Sequence, residues 1–443
     1  MGEHSLILYE VISILGLLSV SSLVYLICKR IQVPFAVGLL ISGIGIALID
    51  KLLIQFGTAV SATALVNWGT AIQQFNLSQF IEFSPSIVFF VFLPTLIFES
   101  AYHLNYRTFR GVIWEVMTLS FLGLSISIGI IGAILHYFAG LPWSVSLLFG
   151  SLISATDPVA VLAIFKEMRI PKRLSTIVDG ESLLNDGTAL IIFQIFLAGV
   201  IGAQFGDDMT AWFLVEQGGH LLFTIVSALI IGAFFGWMFS YLIAHSLNKG
   251  VQLTLSIILA HVTFIVSEVL FHASGILAVM VAGIIVGNFG KRKMHPSAQR
   301  SFKDIWQFLG FVSNSLVFLL LGAKLGQVNF SYWPYILVSS VAVIFVARPI
   351  SVFLSFWITN SLRPKDYALG WKDQLVTTWG GLRGALAAAA VLLIPESYPY
   401  AEQLQAMTAG VIFMTFVLNA MTMKGLLKWL KFHDYTVNER IQF

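Results

Sequence analysis

The sequence predicts an all-α polytopic membrane protein with about thirteen transmembrane helices, two of them broken. Three observations carry that prediction: a scarcity of charge, a regular succession of apolar runs, and a one-sided placement of basic residues. Of the 443 residues, 58% are hydrophobic and only 11% charged, and the mean hydropathy is +0.88. A water-soluble domain carries about 25% charged residues, so this chain lacks the charge to coat an aqueous surface. Phe, Trp and Tyr at 14% suit aromatic belts at two membrane interfaces. The single cysteine, Cys28, excludes an internal disulfide and any Cys-based metal cluster. A net charge of +3 makes no case for nucleic acid as a partner.

Crossing about 30 Å of hydrocarbon takes about 20 apolar residues per helix. On that ruler the spans fall at 5–28, 33–50, 84–102, 112–137, 143–165, 174–202, 217–245, 251–271, 274–290, 305–323, 332–359, 374–394 and 404–425. The first run follows no Lys or Arg and is too long for a signal-peptide core, so it reads as a retained span. With the N-terminus outside, alternation places 21 of the 25 Lys and Arg in inner loops or at the inner C-terminal end. Only Lys51 and Lys324 fall outside, while Arg348 and Arg383 lie within spans. Cytoplasmic loops carry such an excess. The expectation is therefore an integral protein of an inner or plasma membrane, N-terminus out and C-terminus in. Residues 1–425 read as one membrane domain, 426–443 as a short cytoplasmic tail, and 51–83 as an external loop with an amphipathic or re-entrant piece.

An ionisable group at the centre of a bilayer costs about 2.5–3.5 kcal/mol on insertion scales, so it needs a partner or a function. Spans three to six and eleven to twelve hold Glu99, Asp157, Glu181, Asp186, Arg348 and Arg383. The seventh, ninth and thirteenth have no charge in their middles. This points to a functional bundle beside an apolar scaffold.

In Ser154-Ala155-Thr156-Asp157-Pro158, Pro158 cannot donate its N–H and disfavours helical geometry at Asp157. The fifth span is expected to break there, exposing carbonyls beside a carboxylate and the Thr156 hydroxyl, hard oxygens that suit a small monovalent cation. An ordinary proline kink with Asp157 hydrogen-bonded to a neighbour is the plain alternative. The sixth span carries Gly180-Glu181-Ser182-Leu183-Leu184-Asn185-Asp186-Gly187. Residues four apart share a face, so Glu181 stacks with Asn185 and Ser182 with Asp186 on adjacent stripes. Arg348, in Ala347-Arg348-Pro349, needs a carboxylate if buried, and Glu181 is the candidate. Asp157 and Asp186 are then left to hold either a cation or protons, which supplies exchange by competition.

The twelfth span contains Thr377-Thr378-Trp379-Gly380-Gly381-Leu382-Arg383-Gly384, where Gly380 and Gly381 mark a second break. The two breaks lie 223 residues apart, and the spans around them repeat at a similar offset. Seven helices separate corresponding spans, so the repeats run in opposite directions. Paired broken helices in an inverted repeat point to a transporter's midplane site. Arg383 either offsets the helix-end carbonyls of the second break or snorkels towards the cytoplasm.

These four motifs, with Phe98-Glu99-Ser100 in the third span, resemble those of sodium/proton antiporters of the NhaP and NHE type. The resemblance covers the order and spacing of spans over nearly the whole chain. It implies a homodimer in which 1–102 and 217–323 form dimerisation spans, while 112–202 and 332–425 form a mobile ion-binding core that moves like an elevator. It implies that Asp157 and Asp186 bind Na⁺ (or Li⁺ or K⁺) and H⁺, helped by Thr156 and Ser182. Glu181, Asn185, Arg348, Pro158, Gly380, Gly381, Arg383 and Glu99 have supporting roles. The Asn185-Asp186 pair is similar to the form associated with electroneutral, 1:1 exchange. No cofactor is implied; the partners are the cation, protons, membrane lipid and a second copy.

A cation channel is the alternative, but no filter-like repeat is present. An enzyme is not expected: no His-Glu-x-x-His or Ser-His pattern occurs, and the two aspartates do not resemble a protease dyad. His261 reads as a packing residue. The sequons at Asn76 and Asn329 matter only in a host that glycosylates.

Overall fold

The structure, a computed structural model, describes residues 3–31, 33–61, 85–201, 211–246, 248–291, 294, 296–327, 330–364, 368–395 and 397–432. All regular elements among them are helical: α1 Glu3–Ile31, α2 Phe35–Ser61, α3 Val88–His103, α4 Ile113–Ala139, α5 Trp143–Ser154, α6 Val159–Met168 and α7 Lys172–Ile201. There follow α8 Ala211–His245, α9 Lys249–Leu270, α10 Gly275–Gly290, α11 Pro296–Gln327, α12 Trp333–Leu362, α13 Trp371–Trp379, α14 Ala385–Val391 and α15 Ala401–Trp429. Among the described residues, nine helical stretches are long and apolar enough to cross a bilayer, and α3 and α10 are shorter apolar helices.

Helices run past several span limits read from hydropathy. α2 continues to Ser61 rather than stopping at 50, and α11 begins at Pro296 rather than 305. The hydropathy ruler measures hydrocarbon, whereas a helix continues into polar surroundings as long as its backbone bonds are made. The expected loop thus begins as helix; residues 62–84, with Asn76, and Asn329 lie outside the described residues. So does the tail beyond Phe432.

Six turns among the described helices are widened, and two of them precede a proline. A widened turn at Val88–Phe92 precedes Pro94, and another at Ala342–Ala347 precedes Pro349. A proline cannot donate to the preceding turn, so the carbonyls there pair with donors one residue further on.

Close backbone approach sets the packing where no hydrophobic force distinguishes helix from lipid. α2 crosses α11 at Gly43 and Gly322, where a side chain on either would run into the facing backbone. α8 meets α10 the same way at Gly232 and Gly236, against Ala278 and Ala282. Elsewhere α4 packs on α5 and α12, α7 on α5, and α12 on α15.

The helix ends gather into two faces. On one, Glu115 accepts from both Arg173 (2.8 Å) and Arg363 (2.7 Å), and Lys424 pairs with Glu167 at 2.7 Å. On the other, Lys51 donates to the Gly326 carbonyl (3.0 Å), and Gln194 of α7 donates to Glu268 of α9 (2.9 Å). Glu268 also accepts from the Gly275 N–H at the start of α10 (2.9 Å). Glu115 and Glu268 are membrane-helix carboxylates that the sequence reading passed over. Each lies close to a helix end, where charge resembles a loop residue in hydropathy.

Candidate functional site

The chain unwinds at two places, between α5 and α6 and between α13 and α14, and the two breaks cross. The Asp157 N–H donates to the Leu382 carbonyl at 2.9 Å, joining one break to the other. Each break frees backbone groups that in a membrane need partners from within the protein.

Those partners are the polar residues of the two motifs. Arg383 is buried, 1% exposed, and its Nη1 donates to the carbonyls of Ser154 (2.8 Å) and Ala155 (3.1 Å). The guanidinium therefore offsets the carbonyl end of the first break, not the second, and it does not snorkel. The crossing brings the second motif's arginine to the first motif's helix end, which linear spacing does not reveal. Asn185 donates to the same Ser154 carbonyl (2.9 Å) and to Thr156 Oγ1 (3.3 Å). Ser182 Oγ donates to the Thr156 carbonyl. Asn185 and Ser182 thus brace the unwound strand.

Glu181 and Arg348 meet face to face, with Nη1 at 2.7 Å from Oε1 and Nη2 at 2.9 Å from Oε2. Both are buried, and Thr156 Oγ1 lies 3.4 Å from Glu181 Oε1. Arg348 Nη2 also donates to the Thr377 carbonyl at the end of α13 (3.2 Å). Gly381 gives the guanidinium its room, since a Cβ there would meet Arg348 at Nε.

With Glu181 neutralised, Asp157 and Asp186 remain at the breaks, and Glu99 of α3 borders the same cavity. Asp157 accepts from the Val159 N–H at 2.9 Å and lies against Gly384, so it faces the starts of α6 and α14 together. Helix N-termini favour negative charge. Gly384 lets the aspartate sit there, because a side chain at 384 would occupy its space. Asp186 has no hydrogen-bond partner among the described residues. Both aspartates are only half-buried and line a cavity of about 60 Å³ with Thr156, Ser182, Gly384 and Glu99. That is room for a small ion with a few waters. Glu99 also sits 3.6 Å from His103.

A second cavity, about 590 Å³, begins at the same Asp157 and runs along α6 to Pro34, Glu167 and Lys424 on the basic face. Towards the other face, Gln194 and Glu268 tie α7 to α9 two turns beyond Asp186. Asp157 is thus reached from the basic face through the larger cavity. Asn314 of α11 lines both cavities and is the site residue that the sequence reading missed. A neutral amide escaped a search for charges, although an Asn in an apolar span was itself a signal. Pro158 lines the small cavity, while Gly380 closes α13.

A family profile described as "Sodium/hydrogen exchanger, transmembrane" matches residues 17–429. The Na⁺/H⁺ antiporter NhaH of Halobacillus aidingensis is 30% identical over 428 residues, 95% of this chain and 97% of the relative. The Na⁺/H⁺ antiporter ApNhaP of Aphanothece halophytica is 29% identical over 402 residues, 90% of this chain and 70% of the relative. Among solved structures, the sodium proton antiporter MjNhaP1 of Methanocaldococcus jannaschii superposes with a TM-score of 0.73 at 20% identity. That match covers 96% of this chain and 100% of the other, and it establishes a common fold.

Proposed function

The chain belongs to the sodium/hydrogen exchanger family of membrane transporters, and from that premise we propose that it exchanges one monovalent cation for one proton. Na⁺ is the first candidate, with Li⁺ and K⁺ sharing its oxygen ligands. The observation that carries this reading is a pair of carboxylates, Asp157 and Asp186, facing one small cavity with Asp186 unpartnered. Two such groups cannot both stay charged and bare in a membrane. Either a cation or protons must neutralise them, and the same oxygens serve both. Binding one expels the other, which is antiport.

The surrounding roles follow. Glu181 and Arg348 neutralise each other and fix α7 against α12, so the pair adds no free charge to the transported set. Asn185 spends its donors on backbone and Thr156, which leaves Asp186 the free carboxylate of its motif. One carboxyl proton exchanged for one cation leaves the loaded site with the same charge in both directions. The basic face is taken as cytoplasmic by the positive-inside rule, so the 590 Å³ cavity is an inward path to Asp157. Alternating access then requires helices 112–202 and 332–425 to move against a scaffold of 1–102 and 217–323, in a homodimer seated in lipid.

The test is proton flux in liposomes holding the purified protein and an internal pH dye. A Na⁺ gradient is imposed while valinomycin and K⁺ clamp the voltage, with Asp157→Asn as the blank. The expected result is a Na⁺-driven pH change, absent from the blank and indifferent to the clamped voltage. Flux that follows the voltage would mean that net charge moves. No cation-driven proton flux in folded protein would favour the channel.

A further inference from the structure

We infer that Asn314 supplies a contact from the scaffold to the transported cation, beside Glu99 of α3, and sets how well the cation, as opposed to the proton, is held. α11 is apolar through this stretch, yet Asn314 stands in its middle with no hydrogen-bond partner among the described residues. An amide left bare away from water costs about 1–3 kcal/mol in proteins, so such a residue needs water or an ion. Its surroundings provide both. It borders the 60 Å³ cavity of Asp157 and Asp186, and also the 590 Å³ cavity that opens on the basic face. It stands where the two meet.

The stripe on α11 is built for that position. Gly310, one turn before, leaves room for the Glu99 side chain, and a Cβ there would lie 3.2 Å from Glu99 Cγ. Phe318, one turn after, lines only the larger cavity. A small residue, a polar one and an aromatic therefore follow at four-residue spacing along one face. The polar one is level with the aspartates. Glu99 apart, every other oxygen proposed for the cation comes from α5, α7 or the breaks; Asn314 comes from a helix that packs on α2.

The chemistry separates cation from proton. An amide oxygen is a good ligand for a hard monovalent cation or one of its waters, and it adds nothing to a proton already bonded to a carboxylate. Losing Asn314 should weaken cation binding and leave proton binding where it was. This rests on the antiport reading, and the experiment keeps the two apart by including the wild type.

The experiment is exchange in proteoliposomes, with Na⁺ and Li⁺ titrated separately at several pH values, for wild type, Asn314→Leu and Asn314→Asp. Asn314→Leu should raise KM for the cation about tenfold, the low end of what losing a supporting contact costs a metal site. Its maximal rate at saturating cation, and the pH at which KM begins to rise on acidification, should be unchanged. Removing an unpartnered amide for an apolar group of similar shape should leave thermal stability unchanged or raised. Asn314→Asp keeps an oxygen and should recover cation KM to near the wild-type value or below it. Wild-type KM in a folded Asn314→Leu protein would overturn the inference while leaving antiport intact. So would a fall in stability or maximal rate without a change in KM, since that is what a packing role gives. Absence of exchange in the wild type would instead overturn the antiport reading itself.

Discussion

Asp186→Asn is expected to abolish cation–proton exchange while leaving a folded protein in the membrane. The substitution changes one oxygen to nitrogen, so it removes the charge and the proton site with almost no change of shape. Folding should survive because Asp186 makes no hydrogen bond among the described residues, and no partner is left unsatisfied. Removing an unpartnered charge from a membrane helix should even favour the fold. Exchange should fall to the background of empty liposomes, since Asp157 alone, held by the Val159 N–H, cannot trade a proton for a cation in the same way. Flux measured beside size-exclusion profile and thermal stability separates these outcomes. Wild-type flux in Asp186→Asn would remove the residue from the mechanism.

Arg348→Ala is expected to act on the opposite property. It should cost about 3–5 kcal/mol of stability, the usual consequence of stranding one partner of a buried ion pair. Glu181 is 1% exposed and would keep only Thr156 Oγ1 at 3.4 Å. The Thr377 carbonyl would lose a donor as well. Glu181→Gln alone should also destabilise, and the double variant Glu181→Gln/Arg348→Ala should be more stable than the two losses added together. Thermal unfolding of all four proteins in one detergent gives the coupling. Strict additivity would mean that the pair contributes nothing beyond its separate parts.

The helices were legible because a bilayer imposes one length scale on every span, and hydropathy reports that length. The motif residues were legible because charge is rare in such spans. Asp157, Glu181, Asp186, Arg348 and Arg383 are among the charges that remain when apolar residues and loops are set aside. What escaped the sequence was whatever depends on which helices touch. Arg383 reaches the carbonyls of Ser154 and Ala155, over 220 residues away, because the two breaks cross. Nothing in local spacing distinguishes those carbonyls from the ones beside it. Asn314 escaped because its meaning lies in bordering two cavities, and Glu268 because its partner, Gln194, belongs to another helix. Gly384 could be read as a helix breaker, but its room for Asp157 emerges only from the packed structure.

The central claim is that cation and proton compete for the same two carboxylates. It is tested most directly by the apparent KM for Na⁺ in proteoliposomes, measured across pH with maximal rate determined separately at each value. Competition predicts that KM rises about tenfold per unit as pH falls through the acid limb, as one bound proton per exchanged cation requires. The maximal rate at saturating Na⁺ should stay constant over that limb. A constant KM with a maximal rate that falls as pH drops would contradict the account, because the proton would then act at a site the cation does not share.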